Sequence, residues 1–226
     1  MAHAFTFSTT GYTFIGKTTD AIVKVCTTAG LSGIEGVDLL FSTLTEGELD
    51  RTRGEYAAAG LSVDSFHLPF EPDHDIAAFY ETTRRGAVEN MLPGHDGPRL
   101  GSSPDHITAF AKRFGHPNLG FCLDTGHALV AGGPERAHEF ADAMGTSLAA
   151  FHLADNAGDR DSHLAPGRGL VDFAAVFRGA AGIGYAHPMC IEAPPFAHLA
   201  GGSFPLAAWQ ALVAETRAIA ERAVAE

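Results

Sequence analysis

The chain has 226 residues, 46% hydrophobic and 19% charged, which excludes a disordered polypeptide and suits one α/β domain over 1–226 that buries its own core. Fifteen Lys and Arg stand against 27 Asp and Glu, and the formal net charge of −12 argues against nucleic acid as a partner. Cys26, Cys122 and Cys190 are too far apart for a disulfide framework or a Cys-rich zinc site, and no apolar run is long enough to cross a bilayer, so a cytoplasmic protein with no membrane partner is expected.

Short β-rich runs alternate with stretches of helical period along the whole chain. Strands are predicted at 4–9, 33–38, 61–67, 87–91, 119–124, 149–153 and 187–192. Helices are predicted at 18–29, with Ile22, Val25, Cys26 and Ala29 on one face, at 45–59, at 75–85, and at 104–114 with Ile107, Phe110, Ala111 and Phe114 on one face. Pro104 and Pro134 are placed in first helical turns, Asp172 caps a helix that starts at Phe173, and Pro205 opens a C-terminal helix. Such alternation means parallel strands with crossover helices.

The strand ends carry the chemistry. Glu35, His67, Glu89, Asp124 and Glu192 each close an apolar strand, and His152 sits inside another. In a parallel barrel the carboxyl ends of the strands share one face, so these side chains would converge there. Carboxylates crowded into a partly dry site repel one another unless a cation compensates. A mixed carboxylate and imidazole set suits Mn²⁺, Zn²⁺, Mg²⁺ or Co²⁺ as cofactor.

At these residues the sequence resembles the sugar phosphate isomerase/epimerase family, the xylose isomerase-like TIM barrels that include endonuclease IV. The pieces that carry the resemblance are Gly33-Ile34-Glu35, Phe66-His67-Leu68-Pro69, Val88-Glu89-Asn90, Cys122-Leu123-Asp124-Thr125-Gly126-His127, Phe151-His152-Leu153-Ala154-Asp155, Asp161-Ser162-His163, Pro166-Gly167-Arg168-Gly169 and Ile191-Glu192. The resemblance implies that Glu89, Asp124, His152 and Glu192 are metal ligands and that Glu89 and Glu192 are the catalytic acid/base pair. It implies substrate-binding or second-metal roles for His67, His127, Asp161 and His163, and Glu35 and Arg168 are added as candidates for the same roles. The activity implied is isomerisation or epimerisation of a small sugar or sugar-like substrate through a metal-bound enediolate. Alternatives are a related dehydratase or lyase, a multi-zinc phosphodiesterase acting on abasic DNA, and a non-catalytic barrel subunit; a homo-oligomer or partner subunit is a further open expectation.

Two departures stand out. The interval between residues 68 and 86 has room for one helix only, so the fold expected is a TIM-barrel-like (β/α) barrel of seven strands with one βα unit missing there. Arg168 lies where the family commonly has a carboxylate. One decoy also needs weighing: Gly11-Tyr12-Thr13-Phe14-Ile15-Gly16-Lys17-Thr18 has the spacing of a phosphate-binding loop, but its bulky apolar residues suit a cover over a barrel mouth better than a phosphate cradle.

Overall fold

The structure is a computed structural model and describes residues 3–67, 86–193 and 206–225. Its strands are β1 (Phe7–Thr10), β2 (Gly33–Val37), β3 (Ser62–His67), β4 (Gly86–Glu89), β5 (Leu119–Asp124), β6 (Leu148–Leu153) and β7 (Met189–Ile191). The helices are α1 (Thr19–Ala29), α2 (Asp38–Phe41), α3 (Glu46–Ala58), α4 (Pro104–Phe114), α5 (Thr125–Gly132), α6 (Arg136–Met144), α7 (Phe173–Gly182) and α8 (Leu206–Ala225).

All seven predicted strands form, and every neighbouring pair is parallel in the order β3-β2-β1-β7-β6-β5-β4. This is a TIM-barrel-like half-barrel with helices packed on its outer face. The ends of the sheet are β3 and β4, the strands that flank the shortened interval. The predicted 75–85 helix falls outside the described residues.

Apolar side chains on the outward-facing helix side build the core. Phe7, Ile34, Leu123, Phe151 and Ile191 from the strands meet Ile22, Val25, Ile107, Phe140, Phe177 and Trp209 from the helices. Burying a large apolar side chain contributes about 1.5–3 kcal/mol, so this layer supplies most of the drive to fold. β3 departs from the pattern of a buried strand: Val63 and Phe66 are 45% and 46% exposed, and among the described strands β3 pairs with β2 alone.

Helix ends follow capping chemistry. Asp172 accepts a backbone N–H bond as the predicted cap, Thr18 and Ser103 do the same for α1 and α4, and Thr45 with Glu48 makes a reciprocal capping box. Pro134 is a correction: α6 begins at Arg136, so the proline precedes the helix instead of lying in its first turn. The phosphate-loop spacing is a decoy, since Gly11–Phe14 is a 3₁₀ turn whose Phe14 is buried and stacked on Trp209 at 5.7 Å.

One irregularity positions the site. Along β5 and β6, Phe121 pairs with Leu148 but Cys122 pairs with Ala150, so Ala149 is an extra residue. The bulge brings His152, rather than Phe151, alongside Asp124. Because strand side chains alternate between faces, a one-residue slip would exchange core and mouth residues. Gly120 makes room for the bulge, since a Cβ there would lie 2.6 Å from the Ala149 Cβ and 2.9 Å from the Ser147 carbonyl oxygen.

Gly120→Ala is therefore expected to destabilise the protein by about 1–3 kcal/mol, as overpacking does. Urea unfolding of the variant against the parent checks this, and an unchanged midpoint would contradict the role given to the bulge.

Candidate metal centre

At the carboxyl ends of β4 to β7, the register places Glu89, Asp124, His152 and Glu192 on the inner face. One ligand atom from each lies within 4.8 Å of all the others. His152 Nδ1 is 3.2 Å from Glu89 Oε1, 3.2 Å from Glu192 Oε2 and 3.9 Å from Asp124 Oδ2. Its other nitrogen, Nε2, is 3.1 Å from Glu35 Oε1. Glu192 follows the last residue of β7, and its N–H donates to the Leu153 carbonyl at 3.1 Å, which extends the strand's alignment by one residue.

Asp124 is held with little freedom. Its Oδ1 accepts the His127 N–H at 2.7 Å and thereby caps α5. Asn90, fully buried, accepts the Asp124 N–H on Oδ1 at 2.7 Å and donates from Nδ2 to the Asp124 carbonyl at 3.0 Å. Thr125 donates to the Ala154 carbonyl at 2.7 Å, tying the start of α5 to the end of β6. What remains is Asp124 Oδ2, a buried oxygen with no hydrogen-bond partner among the described residues. A buried carboxylate oxygen left unsatisfied is costly, and a divalent cation among these four donors would satisfy it. Three carboxylates and one imidazole form a donor set that fits Mn²⁺, Mg²⁺, Co²⁺ or Zn²⁺.

The electrostatics agree with this fit. Burial, together with the nearby Glu192 and Glu89 charges, raises the Asp124 carboxyl to about 7, with His127 pulling the other way. Burial disfavours a charged His152, yet hydrogen bonding to Cys122 and the Glu192 carboxylate offset it, and its pKa stands well above the ordinary value. Glu192 is also opposed by burial, but the His152 hydrogen bond and positive charge hold it down at about 2. Protons on imidazole thus do part of the neutralising that a cation would do.

A second group lies beside the first. His127 Nδ1 is 2.9 Å from the Asn90 carbonyl and 3.3 Å from Glu89 Oε1, and its Nε2 is 3.3 Å from Asp161 Oδ2. His163 Nε2 lies 3.0 Å from the same Asp161 oxygen, and its Nδ1 is 2.7 Å from the Glu192 carbonyl. Burial would lower His127, but Asp124, Asp161 and Glu89 raise it to about 10. The Asp161 hydrogen bond is the main cause that raises His163 to about 9. His163 has φ 45°, an uncommon backbone state for a residue other than glycine.

The loop bearing Asp161 and His163 is fastened by Asp155. This buried carboxylate accepts N–H bonds from Asn156, Gly167, Gly169 and Val171 at 2.7–3.0 Å. The sequence reading gave no site role to Asp155 or Asn90. The available signals were an aspartate at a strand end with a Pro-Gly-x-Gly segment downstream, and an asparagine directly after a strand-end glutamate.

The remaining candidates divide. Glu35 is buried behind His152, and the His67 ring stacks over the His152 ring at 6.1 Å with Tyr12 on its edge at 5.5 Å. Arg168 is a correction: it is exposed and bonds Glu215 on α8 at 2.6 Å, so it is not brought to the cluster. The cause is the Asp155 clasp, which fixes the backbone on both sides of Arg168, and the acidic partner that α8 offers.

A parallel half-barrel with acidic and imidazole groups converging at the carboxyl edge of its sheet places the chain in the class of TIM-barrel-like α/β proteins. The family model described as xylose isomerase-like TIM barrel matches residues 75–218, and the chain belongs to that family. An uncharacterized protein of Methanocaldococcus jannaschii is 35% identical over 105 residues, covering 46% of this chain and 35% of that protein. One from Sinorhizobium fredii is 29% identical over 142 residues, covering 59% of this chain and 42% of that protein. These matches span less than half the length of either relative.

Among solved structures, the chain is similar to a D-psicose 3-epimerase from Clostridium cellulolyticum H10 with D-tagatose (TM-score 0.70, 13% identity, 96% of this chain and 99% of that one). It is similar to a xylose isomerase domain protein from Alicyclobacillus acidocaldarius (TM-score 0.74, 14% identity, 97% and 99% covered). A third is a xylose isomerase-like TIM barrel protein from Mycobacterium smegmatis in complex with magnesium (TM-score 0.65, 15% identity, 98% of each covered). These likenesses establish the fold. No helix among the described residues is long and apolar enough to cross a membrane.

The raised histidines set a pH expectation for the metal-free protein. A histidine with a folded pKa above its ordinary 6.5 contributes stability that is fully present below that value and is lost as pH rises through the folded pKa, here about 9 for His163 and about 10 for His127. Thermal melts of chelator-treated protein should therefore show a falling midpoint from neutral pH toward about 10, with a shallower fall in His163→Gln. A midpoint that holds steady or climbs over that range would contradict the assignment.

Proposed function

We propose that the chain is a metal-dependent isomerase or epimerase of a small sugar or sugar-like substrate. The observation that carries this reading is the convergence of Glu89, Asp124, His152 and Glu192 within 4.8 Å, with a buried Asp124 oxygen left unsatisfied. Placement at the carboxyl ends of the strands, where barrel proteins hold their substrates, supports it. So do the names of the fold neighbours, which include D-psicose and L-ribulose 3-epimerases.

A bound divalent ion would supply Lewis-acid stabilisation of the negative charge that develops on neighbouring substrate oxygens. The protein's own residues carry the proton. Glu89 and Glu192 each place a carboxylate oxygen 3.2 Å from His152 Nδ1, approaching from different strands, so a substrate carbon over the cluster meets a carboxylate from two directions. One glutamate takes the proton beside the carbonyl and the other returns one to the opposite face, which inverts the carbon; moving the carbonyl along the chain requires in addition that the hydroxyl proton pass to the former carbonyl oxygen. Glu192 reaches the cluster as a carboxylate from the end of β7 and is the base. His127 lies next to Glu89 and bonds a substrate hydroxyl.

One observation favours a second reading. His127, Asp161 and His163 form a chain of donors, and Asp161 Oδ1 is buried without a hydrogen-bond partner among the described residues. A second cation there would suit a multi-metal phosphodiesterase, although the net charge of −12 opposes a nucleic-acid substrate.

The test is metal-loaded protein incubated with a panel of ketohexoses and ketopentoses in D₂O, with NMR following deuterium uptake at carbon and the appearance of the epimer or isomer. Uptake is expected with at least one ketose and should drop about 10²- to 10⁴-fold in Glu192→Gln, the range for loss of a general base. No exchange with any ketose, together with two or more bound ions and cleavage of abasic-site DNA, would replace this reading with the phosphodiesterase.

A further inference from the structure

The proposed centre leaves Glu35 without a part. Glu35 stands on β2, across the sheet from the other carboxylates, and is only 4% exposed. Its Oε1 lies 3.1 Å from His152 Nε2, the nitrogen that points away from Glu89, Asp124 and Glu192. The two ring nitrogens of an imidazole diverge, so groups bound to one are out of reach of the other. Glu35 therefore shares His152 with the cluster without belonging to it.

The carboxylate of Glu35 is itself built into place. Ser65 donates its hydroxyl to Oε1 at 3.1 Å, and the Cys190 thiol lies 3.9 Å from Oε2. A register irregularity between β2 and β3 contributes: Ile34 pairs with Val63 but Glu35 pairs with Ser65, so Asp64 is skipped and the serine arrives beside the glutamate. These contacts enclose Glu35 among β2, β3, β6 and β7.

We propose that Glu35 is a positioning residue: it accepts the Nε2 proton of His152, fixes that tautomer, and so commits Nδ1 as the atom offered to the metal. With a cation among Glu89, Asp124 and Glu192, Nδ1 must offer that ion its lone pair, and the Glu35 carboxylate, which can only accept, then holds the remaining ring hydrogen on Nε2. The negative partner also makes the imidazole a stronger donor, an effect whose loss typically costs about 10- to 100-fold in metal affinity. Ser65 acts one step further out by holding Glu35 in register with the ring. This inference rests on the metal reading of the centre but not on the sugar chemistry proposed for it.

The experiment uses the full chain with Zn²⁺ as the probe, because it is diamagnetic. In ¹⁵N-histidine-labelled, zinc-loaded parent protein, long-range ¹H–¹⁵N correlation is expected to show His152 protonated on Nε2 and zinc-bound on Nδ1. Glu35→Ala and Glu35→Gln, titrated against a competing chelator, should keep one ion per chain but bind it about 10- to 100-fold more weakly. Ser65→Ala should shift affinity in the same direction by a few-fold, which keeps the test alive if the Glu35 variants fold poorly; thermal melts of the metal-free variants report that. Zinc on Nε2, or parental affinity in folded Glu35 variants, would overturn the proposal. So would the loss of a second ion in Glu35→Gln, which would make Glu35, with His152 and Cys190, a ligand set of its own. A parent that takes up no metal would sink the centre and this inference together. Weakened zinc in the Glu35 variants with no ketose exchange in the parent would uphold the inference and remove only the sugar activity.

Discussion

Mutual repulsion among buried acids is the constraint on which the rest of this structure depends. Glu89, Asp124 and Glu192 come together in a space a few ångströms across, and Asp124 has no exposure to water. Burial and neighbouring negative charge push its carboxyl up toward neutrality, which is a cost to the folded state whenever that group is ionised. The fold answers with positive charge and with hydrogen bonds. His152 sits among the three carboxylates, His127 sits at their edge, and the backbone around Asp124 is saturated by Asn90 and by the start of α5. A site that is unfavourable when left to itself and favourable with a cation is what natural metal centres look like physically.

Holding such a group together requires the sheet to be exact where the polar residues emerge. Two register irregularities accomplish this, one in β6 at Ala149 and one in β3 at Asp64. Both insert a single residue, and both bring a polar side chain level with its partner on the next strand: His152 with Asp124, and Ser65 with Glu35. The small residues that face these points have no space for a Cβ: at Gly120 the Ala149 Cβ and the Ser147 carbonyl take it, and at Gly33 the Ser62 carbonyl and the Asp64 carboxylate do. The inner face is thus tuned by the backbone, while the apolar outer face, packed against α1 to α8, supplies the driving force that holds it.

The second group of polar residues depends on a loop instead of on the sheet. Asp161 and His163 belong to a segment closed on itself by four hydrogen bonds to Asp155, so their reach toward His127 is set by that single buried carboxylate. The same clasp turns Arg168 outward to Glu215. Membership of the xylose isomerase-like TIM barrel family fits this division, with a rigid sheet bearing the central donors and mouth loops shaping what surrounds them.

The sequence by itself determined the seven parallel strands and the family, and it singled out the four polar residues that the structure brings together, because alternating apolar periods and polar residues at or near strand ends are local signals that survive without coordinates. It placed α1, α3 and α4 to within a residue, since capping residues and prolines mark their ends. It gave Pro134 to the wrong position and missed the short helices α2 and α5 between strand ends and loops. Only the tertiary structure decided which side of His152 each carboxylate occupies, that Glu35 lies behind the ring, that Asn90 and Asp155 hold the site's backbone, and that Arg168 faces away. Those facts depend on strand register and on contacts between residues distant in sequence, 34 positions for Asn90 with Asp124, 117 for Glu35 with His152, and 12 to 16 for the N–H groups that close onto Asp155. Local composition carries no record of a one-residue bulge, and it was the bulges that set which side chains met.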